Sequence, residues 1–320
     1  MTELQTETKV LRKSPTYRGD DPWSQDRIDS GKELFFAVLR EFPTGAAFTA
    51  DLARLRTMGR FHREVVEAAK VVGQSWRDVM VANISYDLAM YVIGCSTMAI
   101  ATKEGPILAR NLDWWPEAEL MNGSECVHDT NGNVRATWPG FVGVVTGMSA
   151  RGFAVALNAV GSAERASLAG YPVLLFLRKV LDDAKDFDDA VKRLSKQTLA
   201  APALLTVVGT QNHQRVVIER TPRRSSLRWA EDHQPLVATN DYKLMDATVE
   251  QEHDLYQTAC SRFKALTQRA IQLLEHESVS DLDCLNALTD LRVFQQITVQ
   301  HVVARPAGQQ FGVWTPSSFS

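Results

Sequence analysis

Three side chains with complementary chemistry stand at the two ends of one short stretch of the chain. Cys95 opens an apolar, strand-like run, and a Lys-Glu-Gly turn at 103–105 leads into a second run that ends in Arg110 and Asp113. Two strands joined by a tight turn bring residues that are far apart in sequence side by side. The spacing therefore predicts a hairpin that gathers a thiol, a guanidinium and a carboxylate at one end, the groups of a nucleophile site.

The peptide bond between Gly94 and Cys95 is the second feature of this stretch. If that bond is cut, Cys95 gains a terminal α-amine with a pKa of about 8, which lies within reach of the thiol and serves as general base. A glycine before the cysteine permits close approach of the thiol to the preceding carbonyl. The sequence thus predicts an N-to-S acyl shift followed by hydrolysis. No histidine base is needed, and none of the seven histidines stands in a convincing cysteine–histidine pattern.

Arg110 and Asp113 admit two interpretations. In a cut chain, Asp113 holds the new amine by a charge-assisted hydrogen bond, and Arg110 favours the thiolate and orients an acyl carbonyl. Alternatively, the two residues form an ion pair that caps the strand end, since surface ion pairs are common. Spacing alone leaves both interpretations open.

Acyl transfer also needs hydrogen-bond donors for an oxyanion. Asn240 directly follows a short apolar strand, and Asn158 ends another. Either side-chain amide is a candidate donor, and either residue is equally an ordinary turn residue. Arg262 stands early in a predicted helix, where it braces Asp113 or is simply solvated.

Composition narrows the classes of function. The chain has 320 residues and a formal charge of -3, which provides no basic field for nucleic acid. Its four cysteines form no C-x-x-C pair, so we expect no zinc site, no disulfides, no metal and no cofactor. The N-terminus lacks the apolar core of a signal peptide, and no apolar run approaches the length of a membrane span. We therefore expect a cytoplasmic protein that acts on a small molecule; the sequence indicates no oligomeric state.

The order of predicted elements indicates the fold class. The first 25 residues are predicted to form a mobile or draped polar arm, and helices follow from Asp29 to about Tyr86. The apolar stripes of these helices pack in a core or, in the minority interpretation, make weak contact with a membrane surface. From Cys95 onward the order is strands, two helices, strands, two helices, strands. That order predicts an α+β fold of four αββα layers. We divide it into a helical N-terminal segment over 1–94, the propeptide or α chain if processed, and a catalytic domain over 95–320.

Local signals predict several individual elements. Asn131-Gly132 predicts a short hairpin turn. Ser75 and Asp186 are predicted helix N-caps. A strand is predicted over Phe141–Met148, and a long helix over Glu252–Leu274.

The stretches that carry the candidate side chains resemble a known group of enzymes. Residues 73–87, the Gly-Cys-Ser-Thr of 94–97 and the Ala-Arg-Asn-Leu-Asp-Trp of 109–114 are similar to the acid ceramidase and N-acylethanolamine acid amidase family. They also resemble the isopenicillin N acyltransferases, whose junction looks most like Gly94-Cys95, and the wider choloylglycine hydrolase group. The similarity is strongest over about 60–160 and weaker further on, at 236–266 and 298–315.

The resemblance implies a fold, a chemistry and a set of site residues. These proteins are N-terminal nucleophile hydrolases of αββα fold that cut themselves before a cysteine and hydrolyse linear amides or transfer their acyl group. By this resemblance Cys95 is the nucleophile, Arg110 and Asp113 are the charged pair of an R-N-x-D motif, and Asn240 is the oxyanion asparagine. Two further positions are implied as supporting residues, Asn158 and Arg262.

We therefore expect a self-processed cysteine amidohydrolase that cleaves N-acyl amides through an acyl-enzyme on Cys95. One alternative is an acyltransferase that passes the acyl group to an amine, and another is an unprocessed, non-catalytic binding protein. Five large apolar side chains either line an acyl pocket or belong to the core: Trp114, Trp115, Trp138, Phe141 and Met148.

Overall fold

The computed structural model describes residues 2–42, 46–88, 93–167, 169–247 and 257–317. Over these residues the strands form one sheet of seven strands and one of eight. The two sheets pack face to face across a core to which both contribute, and helices cover them. The predicted four-layer α+β arrangement with an N-terminal helical segment is confirmed. No helix of the described residues is long and apolar enough to cross a membrane.

The helices of the described residues fall into an N-terminal group, one short helix over 117–122 and two later pairs. The N-terminal group is α1 Gln25–Leu39, α2 Ala47–Arg56, α3 His62–Val72, α4 Trp76–Asn83 and α5 Ser85–Leu88. The later helices are α6 Glu117–Asn122, α7 Val173–Asp183, α8 Phe187–Lys196, α9 Ala259–Leu274 and α10 Asp281–Leu288.

The two sheets draw strands from both ends of the described chain. The first sheet has, in spatial order, β1 Glu3–Gln5, β2 Val10–Lys13, β15 Gln310–Pro316, β14 Thr298–Arg305, β5 Ile107–Trp114, β4 Ile93–Ile100 and β13 Leu236–Ala238. The second has β12 Ser225–Trp229, β11 Arg215–Arg220, β10 Ala203–Val208, β9 Phe153–Asn158, β8 Thr146–Ser149, β7 Val134–Thr137, β6 Glu125–His128 and β3 Thr16–Arg18.

The first 18 residues differ from the predicted polar arm. Strand β2 pairs with β15 and with β1 in the first sheet, and β3 lies parallel to β6 in the second. These strands are three or four residues long and bury little apart from Leu11. Such short edge strands carry no hydrophobic alternation long enough to read from sequence, which is why the prediction gave an arm and no strands.

Several local predictions are confirmed. The β4–β5 hairpin forms as expected, with Ile100 opposite Ile107 next to the turn. Gly132 adopts a φ of 85° in the turn between β6 and β7, a conformation that only glycine adopts without strain. Ser75 accepts a hydrogen bond from the main chain of α4, and Asp186 does the same for α8.

Two predicted boundaries differ from the structure. Strand β8 begins at Thr146 rather than Phe141, because the preceding main chain bonds elsewhere: the Asn83 side-chain oxygen accepts from the N–H groups of Val142 and Gly143 at 2.6 and 3.1 Å. The predicted start of the long helix at Glu252 lies outside the described residues, and the described helix α9 begins at Ala259.

The β4–β5 hairpin presents two different faces. Alternate side chains of a strand point to opposite sides of its sheet. Cys95, Leu112 and Trp114 point inward, into the core shared with the second sheet. Met98 and Ala109 point outward, into the core beneath α9 and α10. This alternation determines on which side each candidate residue acts.

Candidate active site

The thiol of Cys95 lies on the inner face of the hairpin, in contact with Arg110. The Arg110 guanidinium donates through Nη2 to Cys95 Sγ at 2.9 Å and through Nη1 to Thr146 Oγ1 at 2.8 Å. The residue directly opposite Arg110 in the hairpin is Thr97, which lies two residues beyond Cys95 on the same face. The guanidinium of Arg110 therefore reaches the thiol from the side. Both Cys95 and Arg110 are fully buried.

Asp113 approaches the same residue from the other side of the sheet. It stands opposite Gly94 in the hairpin register. Its Oδ1 accepts a hydrogen bond from Thr298 Oγ1 at 2.6 Å, and among the described residues its buried Oδ2 has no hydrogen-bond partner. Since Arg110 and Asp113 leave opposite faces of β5, they do not form the strand-end ion pair that spacing left open. The carboxylate is instead beside the peptide bond that precedes the nucleophile.

The main chain of Cys95 is held by two residues that are distant in sequence. Its N–H donates to Asn240 Oδ1 at 3.3 Å, and its carbonyl accepts from Arg262 Nη1 at 2.7 Å. The Arg262 guanidinium also donates through Nη2 to Asn240 Oδ1 at 2.8 Å. Arg262 projects from α9 and is fully buried rather than solvated. Asn240 and Arg262 thus meet at the nucleophile, as the family resemblance implies.

Asn158 supports the segment that carries Asn240. Its Oδ1 accepts from Thr97 Oγ1 at 2.6 Å, and its amide nitrogen donates to the carbonyls of Ala238 and Thr239 at 3.1 and 3.0 Å. Both N–H groups of this amide are therefore engaged. The Asn240 amide nitrogen makes a single described bond, to a main-chain carbonyl at 2.8 Å. The geometry favours Asn240 as the free donor and Asn158 as a support.

Burial dominates the protonation of the reactive groups. It raises the pKa of the Cys95 thiol, against the opposing effect of the Arg110 charge, while the Asp113 charge raises it further. Burial also raises the pKa of Asp113, against the effects of Arg262, the Thr298 hydrogen bond and Arg110. The pKa of Arg110 is lowered by the same loss of hydration. In the uncut chain Arg110 therefore does not by itself generate the thiolate, and the thiol has to lose its proton as it attacks.

In the described part of this site, Cys95 has no histidine as a hydrogen-bond partner and no metal-binding cluster is present. The described hydrogen bonds of Cys95 involve arginine, asparagine and main-chain groups. Across the described ranges, no group of three or more His, Cys, Asp or Glu side chains is placed to hold a metal ion. The buried His301 lies on the outer face, where its Nδ1 is 2.7 Å from Asn111 Oδ1 and burial lowers its pKa to about 3.

Three threonines that contact the candidate residues were not identified from sequence. Thr97 bonds Asn158, Thr146 bonds Arg110 and Thr298 bonds Asp113. Alternation along the predicted strand places Thr97 on the same face as Cys95, so that position was within reach of sequence reasoning. Thr146 and Thr298 come from other strands, and no sequence signal links them to the hairpin.

An apolar cavity of 460 Å³ lies at the end of β5 beside the N-terminal helices. Trp114, which follows Asp113, lines it together with Trp115, Trp138 and Phe141. Three of these aromatic rings meet edge to face at centroid distances of 5.5 to 6.5 Å. Met148, the fifth predicted pocket candidate, instead packs between the two sheets. The remaining lining residues are Leu34, Phe35, Val38, Glu41, Phe42, Ala82, Ser85 and Leu120.

Fold and site together define an N-terminal nucleophile hydrolase, and comparison with known proteins identifies its family. The profile of the acyl-coenzyme A:6-aminopenicillanic acid acyl-transferase family matches residues 100–292. The chain belongs to this family.

One curated relative and two solved structures add to the comparison. The chain is 27% identical over 248 residues to an N-acylethanolamine-hydrolyzing acid amidase of Caenorhabditis elegans, covering 69% of this chain and 67% of the relative. The solved structure of a Caenorhabditis elegans ortholog of N-acylethanolamine-hydrolyzing acid amidase aligns with a TM-score of 0.55 at 22% identity, over 67% of this chain and 93% of that one. A mutant conjugated bile acid hydrolase from Clostridium perfringens aligns with a TM-score of 0.46 at 14% identity, over 69% and 89%.

These findings confirm the predicted group and class of enzyme. The chain is an N-terminal nucleophile hydrolase of the choloylglycine hydrolase group, an enzyme of linear amide bonds. The residue roles, the processing step and the substrate are finer questions, which the site geometry addresses.

Proposed function

We propose that the chain cuts itself between Gly94 and Cys95 and then hydrolyses N-acyl amides with an apolar acyl group through an acyl-enzyme on Cys95. The observation that carries this proposal is the convergence on one residue of groups from three parts of the chain. Arg110 contacts the thiol, Asn240 and Arg262 bind the main chain on its two sides, and all four are buried together. A structural cysteine requires no such arrangement.

The processing step needs only groups of the chain and one water molecule. Cys95 Sγ attacks the carbonyl carbon of Gly94, the carbon–nitrogen bond breaks, and a thioester to sulfur forms. The proton lost by the thiol ends on the new α-amine of Cys95. Water then hydrolyses the thioester and leaves a carboxylate on Gly94 and a free thiol. Asp113, opposite Gly94 in the hairpin, is placed to bind the amine as it forms.

In the cut enzyme the α-amine supplies the base that the buried thiol requires. It takes the thiol proton, and the thiolate attacks the substrate carbonyl. The Asn240 amide donates to the oxyanion, and the amine passes its proton to the departing amine as the carbon–nitrogen bond breaks. Water, deprotonated by the same α-amine, resolves the thioester and releases the acid. Arg110 holds the sulfur, and Arg262 holds Asn240 in place.

The aromatic cavity supports an apolar acyl group as the recognised half of the substrate. Its volume falls in the range of small-molecule sites, which is about 300 to 1,000 Å³. Trp114 lines it and adjoins Asp113 in sequence, so the cavity begins close to the reacting groups. The activity for which the Caenorhabditis elegans relative is named, hydrolysis of N-acylethanolamines, supports a substrate of this class with a small amine half.

An acyltransferase is the second candidate, because the matching family is named for acyl transfer to an amine. In that case an amine, not water, resolves the thioester on Cys95. Saturating 6-aminopenicillanic acid or glycine, added to a turnover of N-lauroyl p-nitroanilide, distinguishes the two. We expect lauric acid as the product; lauroylated amine as the main product would favour the transferase.

Exposed apolar side chains on α1 and around α2 support weak contact with a membrane surface. Phe36 on α1 follows Phe35 of the cavity lining and is 63% exposed. On and just after α2, Phe48, Leu55 and Met58 are 71%, 68% and 89% exposed. Co-sedimentation with phosphatidylcholine vesicles should be weak but measurable and should decrease in a Phe48→Ser, Met58→Ser variant; equal sedimentation of both proteins would exclude this contact.

Denaturing mass spectrometry after incubation tests the core of the proposal. We expect two fragments, one ending at Gly94 and one beginning at Cys95, with Cys95 labelled by a thiol-reactive acyl probe. An intact chain without label would favour the unprocessed binding protein. An intact chain whose Cys95 is labelled would retain the nucleophile but eliminate self-processing.

A further inference from the structure

The segment that carries Asn240 has little support from its own sheet. Strand β13 has three residues, and it pairs only with β4 among the described strands, from Leu236 opposite Ala99 to Ala238 opposite Thr97. After Ala238 the chain leaves the sheet. The position of Asn240 relative to Cys95 therefore depends on what anchors the main chain before and after it.

After Asn240, the anchor is a carboxylate of the second sheet. Glu219 lies on β11 and is fully buried. Its Oε1 accepts from the N–H of Lys243 at 2.9 Å, and its Oε2 accepts from those of Leu244 and Met245 at 2.9 and 3.0 Å. Hydrogen bonds to a charged acceptor are about twice as strong as neutral ones. One side chain thus fixes three consecutive residues of the loop that follows Asn240.

Before Asn240, the main chain has a second anchor besides Asn158, and this anchor is the ion-pair partner of that carboxylate. Arg228, on the neighbouring strand β12, has its Nε 3.6 Å from Glu219 Oε1. Its Nη2 donates to the carbonyl of Val237 at 2.8 Å. The pair therefore reaches the main chain on both sides of Asn240, although both of its members belong to the second sheet.

We propose that Glu219 and Arg228 are positioning residues that hold the Asn240 amide in register with the Cys95 nucleophile. This inference rests on the proposed role of Asn240 in catalysis. Neither residue is among the described hydrogen-bond partners of Cys95 or lines the aromatic cavity, so we expect any effect on turnover to pass through the segment between Val237 and Met245. Displacement of a catalytic group by about 1 Å is enough to cost on the order of 100-fold in rate.

A purely structural role makes a different prediction. If the pair only closed a corner of the second sheet, its loss would lower thermal stability and leave the turnover of the folded fraction unchanged. A positioning role lowers the acylation rate of the folded enzyme, and it does so only while Asn240 is present.

The experiment is a double-mutant cycle on the self-processed full-length protein with N-lauroyl p-nitroanilide. Glu219→Gln keeps the shape and loses the charge; it should lower kcat about 10- to 100-fold with KM changed less than threefold. The rate at which iodoacetamide alkylates Cys95 should be the same in Glu219→Gln as in the wild type. In an Asn240→Ala background the same substitution should change kcat less than twofold, because coupled residues are non-additive.

Two further variants complete the cycle. Glu125→Gln is the matched control, because Glu125 is also a buried carboxylate paired with an arginine. It lies on the distant strand β6, where its Oε2 accepts from Arg27 Nε at 3.0 Å. This variant should lower the Tm and keep kcat. Arg228→Met removes the bond to Val237 while the three bonds of Glu219 persist, and it should lower kcat several-fold. It serves as the test if Glu219→Gln does not fold.

The outcomes separate this inference from the proposed function. Unchanged kcat in both Glu219→Gln and Arg228→Met, with Asn240→Ala slow, would overturn the positioning role alone. An equal loss of kcat on Glu219→Gln in the wild-type and Asn240→Ala backgrounds would also overturn the positioning role alone. If Asn240→Ala has full activity, the oxyanion role fails and the positioning role fails with it.

Discussion

The inner and outer faces of the β4–β5 hairpin contain buried polar side chains of opposite kinds. On the inner face, the Cys95 thiol meets the charged Arg110 beside the aromatic cavity. On the outer face, Asn111 meets the neutral His301 beneath α10, and its amide nitrogen donates to the Leu288 carbonyl at 2.8 Å. Buried groups are normally paired in a way that removes the cost of burial. The outer pair relies on neutral hydrogen bonds, although the buried Nε2 of His301 has no hydrogen-bond partner among the described residues, whereas the inner pair keeps a charge at a nucleophile.

Asp113 departs from this division. It leaves β5 on the outer face, yet it stands beside the Gly94–Cys95 bond, and among the described residues its Oδ2 lacks a hydrogen-bond partner. A buried carboxylate oxygen without a partner is costly. Groups on both faces therefore act on Cys95. Arg110 contacts its thiol on the inner face, and Asp113 approaches its main-chain nitrogen from the outer face.

Removal of the nucleophile should have the largest effect. Cys95→Ala should abolish both self-cleavage and turnover, a loss of at least about 10³-fold, because no other group takes the acyl chain. Denaturing mass spectrometry and anilide hydrolysis measure the two losses. Cys126→Ala, a buried strand cysteine on β6, is the control and should cut itself normally; fragments from Cys95→Ala would end the assignment of the nucleophile.

Asp113→Asn tests whether the outer face takes part in the chemistry. We expect turnover to fall by about 10²- to 10⁴-fold, the usual range for a lost acid–base contribution, because the amide cannot stabilise the ammonium. Thr298→Val, which removes the hydrogen bond to Oδ1, should give a smaller loss in the same direction. Full activity of Asp113→Asn would confine catalysis to the inner face.

The pH dependence of the free energy of unfolding tests whether the outer pair is neutral, as its description requires. Burial lowers the pKa of His301 to about 3, from an ordinary value of about 6.5. Between these values the unfolded chain binds the extra proton, so this group lowers the free energy of unfolding as the pH falls below about 6.5. From pH 7 to 4.5 the expected loss from His301 is about 2 to 3 kcal/mol.

A second buried group opposes this loss, so the measurement requires a variant. Burial raises the pKa of Asp87 from 3.8 to about 7; the folded chain binds that proton first, and acidification over this window adds stability. Urea unfolding of wild type and His301→Asn at both pH values isolates the histidine. On acidification the variant should gain about 2 to 3 kcal/mol relative to wild type. Parallel curves would mean that His301 is charged in the folded protein.

Asn111→Ala should have the smallest effect on catalysis, despite its position between Arg110 and Asp113. Loss of its two side-chain bonds should lower the free energy of unfolding by about 1 to 3 kcal/mol. The turnover of the folded enzyme should stay within about threefold, because Arg110 bonds the main-chain carbonyl of residue 111, which alanine retains. A larger loss of kcat would show that the two faces are not separable.

Sequence reasoning reached those parts of the site that depend on local rules. Alternation and a glycine turn predicted the hairpin, and the pairing of Cys95 with Leu112 and of Gly94 with Asp113 follows from it. The same rules did not predict strands β1 to β3, whose few buried side chains leave no periodic signal. They also did not predict that Arg110 and Asp113 would lie on opposite faces, although two residues three apart in a strand must do so.

The sequence by itself determined the αββα fold class and the stretch from Gly94 to Asp113, because hydrophobic period and turn chemistry act between near neighbours. Asn240 and Arg262 were indicated only by resemblance to a family. Their meeting at Cys95 was decided by tertiary structure, through the β13–β4 pairing and the packing of α9 on the first sheet. The anchors Glu219 and Arg228 carry no sequence signal at all, since the groups that they bind in the segment around Asn240 are main-chain groups, which every residue type provides.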